Sequence, residues 1–141
     1  MIVLANDGIS QVGVEKLENN GFKVITTNVA QDQIIDYINR NSITCLLVRS
    51  ATKVRKDIID SCESLKLIGR GGVGMDNIDV EYAKSKGIRV INTPAASSLS
   101  VAELVFAHIM TCSRFLHDSN RNMPLEGCLL YTSDAADDDH C

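Results

Sequence analysis

Leu67-Ile68-Gly69-Arg70-Gly71-Gly72-Val73-Gly74-Met75-Asp76-Asn77-Ile78-Asp79 is a short apolar strand that opens into four glycines within six residues, broken by one arginine. Glycine admits positive φ and lets backbone approach a ligand closely. Successive free N–H groups in such a turn form a concave anion trap. Arginine adds a permanently charged fork that matches carboxylate or phosphate. The stretch reads as a strand delivering an anion-binding loop.

Working outward, the same rhythm repeats on both sides. Met1–Ala5 reads as a strand ending at Asn6-Asp7-Gly8, and Ser10 caps a helix with Val14 and Leu17 inward and Gly21 just past its end. Phe22–Thr26 is a second strand, and Gln31–Asn39 carries Ile34, Ile35 and Ile38 at helical spacing. Thr44–Val48 is a third strand, bounded by Arg49-Ser50, and Lys56–Cys62 a short helix with Ile58 and Ile59 inward. Leu65–Gly69 is the fourth strand, Val80–Lys86 a helix stopped by Gly87, and Ile88–Ile91 the fifth strand, closed by Asn92-Thr93-Pro94. Alternating strands and helices give an α/β fold, a five-stranded parallel sheet with helices on both faces. Right-handed crossovers gather the βα loops on one edge, where open α/β sheets bind ligands. Asn6-Asp7-Gly8, Arg49-Ser50-Ala51, Gly69–Gly74 and Asn92-Thr93-Pro94 should therefore meet there, around a small anion. Beyond this sheet, Leu99–Leu116 reads as one long helix capped by Ser98 or Ser100 and apolar nearly all round, which demands cover on several sides.

Composition fits this architecture. Of 141 residues 45% are hydrophobic and only 4% aromatic, with no Trp, so the core is aliphatic, as in parallel sheets. No apolar run approaches the ~20 residues of a membrane span. The N-terminus lacks a basic leader, and the expectation is a cytoplasmic protein. The formal charge of −4 comes from the end of the chain: removing Asp134, Asp137, Asp138 and Asp139 from the 18 acids leaves 14, equal to the 14 bases. A neutral body suggests neither nucleic acid nor membrane as partner. Five cysteines without paired spacing suggest no metal site, and Cys45 and Cys112 read as buried, reduced thiols. Cys128–Cys141 continues no upstream pattern. It resembles the translation of a sequencing adapter and is read as a disordered artefact following a chain cut at Gly127, the alternative being a genuine acidic tail.

Five ordered stretches together resemble the D-isomer-specific 2-hydroxyacid dehydrogenases, and most closely those members whose hydroxy acid carries a phosphate. They are Ala5–Ser10, Leu47–Val54, Leu67–Asp79, Val90–Pro94 and Ser98–Leu104. The resemblance implies a flavodoxin-like substrate domain over residues 1–97, followed at 98–127 by the interdomain and dimer helix that opens a truncated NAD-binding domain. It implies a homo-oligomer, dimer or tetramer, with a small anionic 2-hydroxy acid as substrate and NAD as cofactor, held mainly by the domain this chain lacks. Arg49, Ser50, Arg70, Gly72, Val73, Gly74 and Asn77 match substrate-binding positions, while Val73, Ser100 and Val101 match positions near the cofactor. Where relatives often place Thr, this chain has Val73, so only backbone contact carries over. The family's G-x-G-x-x-G fingerprint, acidic ribose-binding residue, catalytic arginine and Glu–His pair have no counterpart here. His108 and His117 lie on the long helix and at its end, and His140 lies in the tail. No catalytic residue is assigned, and the fragment alone is expected to be inactive.

Plainer readings compete at single positions. Asp76 and Asp79 read better as caps of the next helix than as chemistry, and Asn6-Asp7 as a local Asx turn. A non-enzymatic flavodoxin-like module such as a receiver domain would need an aspartate after the third strand, where Arg49 stands, the wrong charge for Mg²⁺. Within the enzyme class, a hydroxypyruvate or glyoxylate reductase is the nearer rival.

Overall fold

The computed structural model describes residues 1–126, with side chains as far as Asn122. Expectations for Gly127, His140 and the segment Cys128–Cys141 lie outside the described residues. The chain divides into two compact units, Met1–Ala96 and one beginning at Ser97.

The first unit alternates β1 (Ile2–Ala5), α1 (Gln11–Asn19), β2 (Lys23–Ile25), α2 (Ile34–Arg40), β3 (Cys45–Val48), α3 (Lys56–Ser61), β4 (Leu67–Arg70), α4 (Val80–Ser85) and β5 (Arg89–Asn92). All pairings are parallel, in the order β2-β1-β3-β4-β5. This is the flavodoxin-like order, whose reversal falls between β1 and β3. The chain steps one way from β1 to β2 and the other way thereafter. Right-handed crossovers therefore place α1 on one face and α2, α3 and α4 on the other.

Register turns this asymmetry into packing. Leu4, Leu46, Ile68 and Val90 form one row across the sheet. That row packs with Ile34, Ile38, Ile58, Ile59 and Ala83, so α2, α3 and α4 build the core. Each fully buried aliphatic side chain contributes about 1.5–3 kcal/mol. On the other face the row runs Ala5, Leu47, Gly69, Ile91. Val14 and Leu17 of α1 are only half-buried, and Ile91 is exposed. Ser10 caps α1 as expected, accepting from the Gly13 N–H, and Gly21 follows the helix at φ 80°.

The second unit departs from the sequence reading. Instead of one helix through Leu116, α5 (Ser98–Ser113) breaks at Arg114-Phe115 and α6 (Leu116–Glu126) follows, the pair bent by 59°. Phe115 adopts φ 52°, a conformation that ends a helix regardless of its apolar periodicity. The N-cap is Ser97, with no side-chain cap bond, rather than Ser98 or Ser100. Cys112 is exposed, whereas Cys45 and Cys62 are buried, their thiols pushed up to about 11 by desolvation, with the Asp57 charge adding to it at Cys62. No single helix among the described residues is long and apolar enough to cross a membrane.

Candidate functional site

A cleft of about 640 Å³ opens at the carboxyl edge of the sheet, across the reversal point. Its floor is the sparsely covered row: Leu47 and Ile91 flank Gly69, where a Cβ would come within 2.7 Å of Leu47 Cδ2. Its rim is polar and comes from the ends of four strands. Asp7, Gly8 and Ser10 follow β1, Arg49 follows β3, and Arg70 and Gly71 close β4. Asn92 and Thr93 complete the rim from β5.

Parallel register brings the two arginines together. Val48 pairs with Arg70, so Arg49 begins where Arg70 ends the neighbouring strand. Arg70 Nε donates to the Arg49 carbonyl (3.3 Å). A Cβ on Gly71 would lie 3.6 Å from the Arg49 stem, and one on Gly72 only 2.5 Å from an Arg70 guanidinium nitrogen. The glycines thus make room for the arginines as well as for a ligand.

The nest of amides is smaller than the glycine count suggested. Gly71 N–H donates to Val48 O (2.9 Å) and Gly72 N–H to Arg70 O (3.1 Å), so both are spent. The N–H groups of Val73 and Gly74 donate to no protein acceptor among the described residues. Their loop is steadied through its carbonyls: Thr93 N–H reaches Gly72 O (3.1 Å) and Asn92 Nδ2 reaches Val73 O (2.7 Å). Gly72, Val73, Gly74, Ser50 and Asn77 lie outside the cleft wall itself. Asn77 directs its amide nitrogen to Arg49 O (2.9 Å) and Thr52 O (2.7 Å), so its donors already serve the protein. Ser100 and Val101 belong to the second unit and are exposed on α5.

Sequence reading placed Asn6-Asp7 at this edge but missed what they bond, and it missed Thr52. Asn6-Asp7 is not a local Asx turn but a long-range clamp. Asn6 Nδ2 donates to Val29 O (3.1 Å) and Thr52 Oγ1 (2.9 Å), and its Oδ1 accepts from Val29 N (2.8 Å). The Asp7 carboxylate accepts the N–H groups of Arg49 (2.6 Å) and Thr52 (3.1 Å) and the Thr52 hydroxyl (2.5 Å). Burial alone would raise the Asp7 pKa, but bonds from the Thr52 hydroxyl and the Arg49, Thr52 and Ala51 amides outweigh it and hold the carboxyl below its ordinary value. Asp79 stands at the N-cap of α4 without capping it by side chain. It pairs with Arg55 (2.8 Å), whose other nitrogen holds Asp76 O (2.8 Å). No His/Cys/Asp/Glu group fit for a metal occurs among the described residues.

Comparison with known proteins identifies the family of this fold. The profile of the D-isomer specific 2-hydroxyacid dehydrogenase catalytic domain matches residues 2–137. D-3-phosphoglycerate dehydrogenase of Methanocaldococcus jannaschii is 42% identical over 112 residues, 79% of this chain and 21% of that protein. Hydroxypyruvate reductase of Thermotoga maritima is 42% identical over 115 residues, 81% of this chain and 37% of that protein. The chain thus spans between a fifth and two fifths of the length of these relatives. Among solved structures, NAD⁺-bound 3-phosphoglycerate dehydrogenase of Entamoeba histolytica superposes with a TM-score of 0.63 at 31% identity, covering 80% of this chain and 39% of that one. The Thermus thermophilus TT0316 protein reaches 0.75 at 21% identity, covering 88% and 40%, a likeness of fold. The chain belongs to the D-isomer specific 2-hydroxyacid dehydrogenase family.

Proposed function

We propose that the complete protein containing this chain is an NAD-dependent dehydrogenase that oxidises 3-phosphoglycerate to 3-phosphohydroxypyruvate, the entry to serine biosynthesis. The carrying observation is the rim, where Arg49 and Arg70 stand at paired strand ends; the loop that follows Arg70 adds the unspent N–H groups of Val73 and Gly74 just outside the cleft wall. Two guanidinium groups suit a substrate bearing phosphate as well as carboxylate. The amides of Val73 and Gly74 take the carboxylate and so orient C2, while Ser50 follows Arg49 outside the cleft wall and Asn77 supports the Arg49 carbonyl. NAD, when bound, supplies the acceptor for the hydride leaving C2. This chain's share in holding it is small: the Val73 backbone, with Ser100 and Val101 on α5. The remaining contacts, the family's catalytic arginine, and the His that moves the hydroxyl proton with the Glu that orients it have no counterpart assigned in this chain. The 141-residue chain alone is therefore inactive and binds no stoichiometric NAD, and calorimetry that detects such binding would refute this. The intact enzyme is a cytoplasmic homo-oligomer in this reading.

Arg49→Ala or Arg70→Ala in the complete dehydrogenase should raise KM for the hydroxy acid by the equivalent of ~2–5 kcal/mol and leave KM for NAD nearly unchanged. Equal losses for both ligands would reject the assignment. A second reading, hydroxypyruvate reductase, is favoured by the Thermotoga relative, equally identical and overlapping this chain over a larger share of its length. Comparing kcat/KM for 3-phosphoglycerate with that for unphosphorylated glycerate separates the two.

A further inference from the structure

We propose that Asp7 is a positioning residue for substrate binding: with Asn77 it fixes the arch Arg49-Ser50-Ala51-Thr52 and thereby the direction of the Arg49 guanidinium. The inference rests on the anion-binding reading above and deepens it.

The arch is gripped from two sides at the same two residues. Asp7 takes the N–H groups of Arg49 and Thr52, together with the Thr52 hydroxyl. Asn77 donates to the carbonyls of those same residues, Arg49 and Thr52. Both peptide groups that flank the Arg49 Cα are therefore anchored, and one torsional route for swinging its side chain away is closed. Asn77 is itself set by backbone: its carbonyl accepts from Val54 N–H (2.8 Å), beside the isolated parallel bridge between Val54 and Ile78. The glycine loop's exit and the arch thus form one piece.

Chemistry singles out Asp7 within this piece. It lines the same cleft as Arg49 and Arg70, where a free carboxylate would repel an incoming acid. Three protein donors occupy its two oxygens, which leaves the charge committed to the arch. Replacing it by asparagine keeps the size and one oxygen for the two N–H groups, but turns the other oxygen into a donor facing the Thr52 hydroxyl, which must then reverse its bond. The charge is lost as well, and charge-assisted bonds are about twice as strong as neutral ones. Neither Asp7 nor the arch belongs to the hydrophobic core, so the clamp's main consequence falls on Arg49.

The test uses the complete dehydrogenase with 3-phosphoglycerate and NAD. Asp7→Asn should raise KM for the acid about tenfold, with kcat and KM for NAD within about threefold. Asn77→Ala should do the same from the carbonyl side, and it decides the matter if Asp7→Asn does not fold. Hydrogen exchange at the Arg49 and Thr52 amides should accelerate in Asp7→Asn, a readout independent of activity. Unchanged exchange there, or a loosened arch with unchanged KM for the acid, would overturn the proposal. Arg49→Ala separates the two failures. If it leaves KM for the acid unchanged, the anion reading itself is wrong. If it raises KM while both clamp variants do not, only the positioning role falls.

Discussion

Helices α2 and α5 carry the same kind of apolar spacing and meet opposite surroundings. In α2, Ile34 and Ile38 are 0% exposed, sealed under the sheet by α3 and its neighbours. In α5, Leu99 is 72% exposed and Phe106 64%. Among the described residues no buried hydrophobic side chain occurs after Ile88. Periodicity therefore reports what a helix face requires, while topology decides whether the chain itself provides it. The first unit closes its own core. The second presents a face that only other polypeptide could cover.

The sharpest way to break this contrast is to separate the regions. Residues 1–96 expressed alone should sediment as a folded monomer, whereas the 141-residue chain should self-associate through its exposed apolar helix. Phe106→Glu combined with Ile109→Glu should shift the longer chain towards monomer in sedimentation velocity. A monodisperse unmodified chain would show that α5 is covered after all. Next in size, Ile38→Ala or Leu46→Ala should cost about 2–5 kcal/mol in denaturant unfolding. Val105→Ala in α5 should change the same measurement by only ~0.5 kcal/mol or less. Similar losses at both places would erase the distinction.

The smallest effect locates a local contribution inside the first unit. The Asp7 carboxyl is held below its ordinary value of 3.8, so the folded state binds that proton less tightly than the unfolded one. Its stabilisation is complete above that ordinary value and is lost as pH falls through the lowered one. Unfolding of residues 1–96 followed from about pH 5 to about pH 2.5 should therefore show a shallower acid decline in Asp7→Asn than in the parent sequence. Identical slopes would mean that the clamp does not couple to folding.

Most of the fold was readable because its signals are local. Strand, helix and cap residues such as Ser10, Ile34 and Gly21 act on their own neighbours, and the observed strands differ from expectation by only a residue or two at their ends. The parallel arrangement followed from the alternation of strands with helices. The break at Arg114-Phe115 was hidden because no glycine or proline marks it and the apolar spacing runs straight through. Cys112 was misjudged for the same reason, since an apolar helix says nothing about its cover. At the site, Arg49 and Arg70 were found because strand ends converge by topology. The clamp made by Asp7, Asn6 and Thr52 was not, since its bonds join residues 42 to 46 positions apart. The count of glycines also concealed that two of their amides serve the backbone itself.

Gly72 has a consequence for how damage to this protein would present. The atoms a methyl group would strike there belong to the free end of Arg70, a flexible arm that can simply swing aside. The backbone is less forgiving: Gly72 sits at φ 158°, which L side chains rarely adopt, so a Gly72→Ala chain should melt below its parent as well as lose its grip on the acid. Such a lesion would couple a loss of binding to a loss of stability, and the two would be read together.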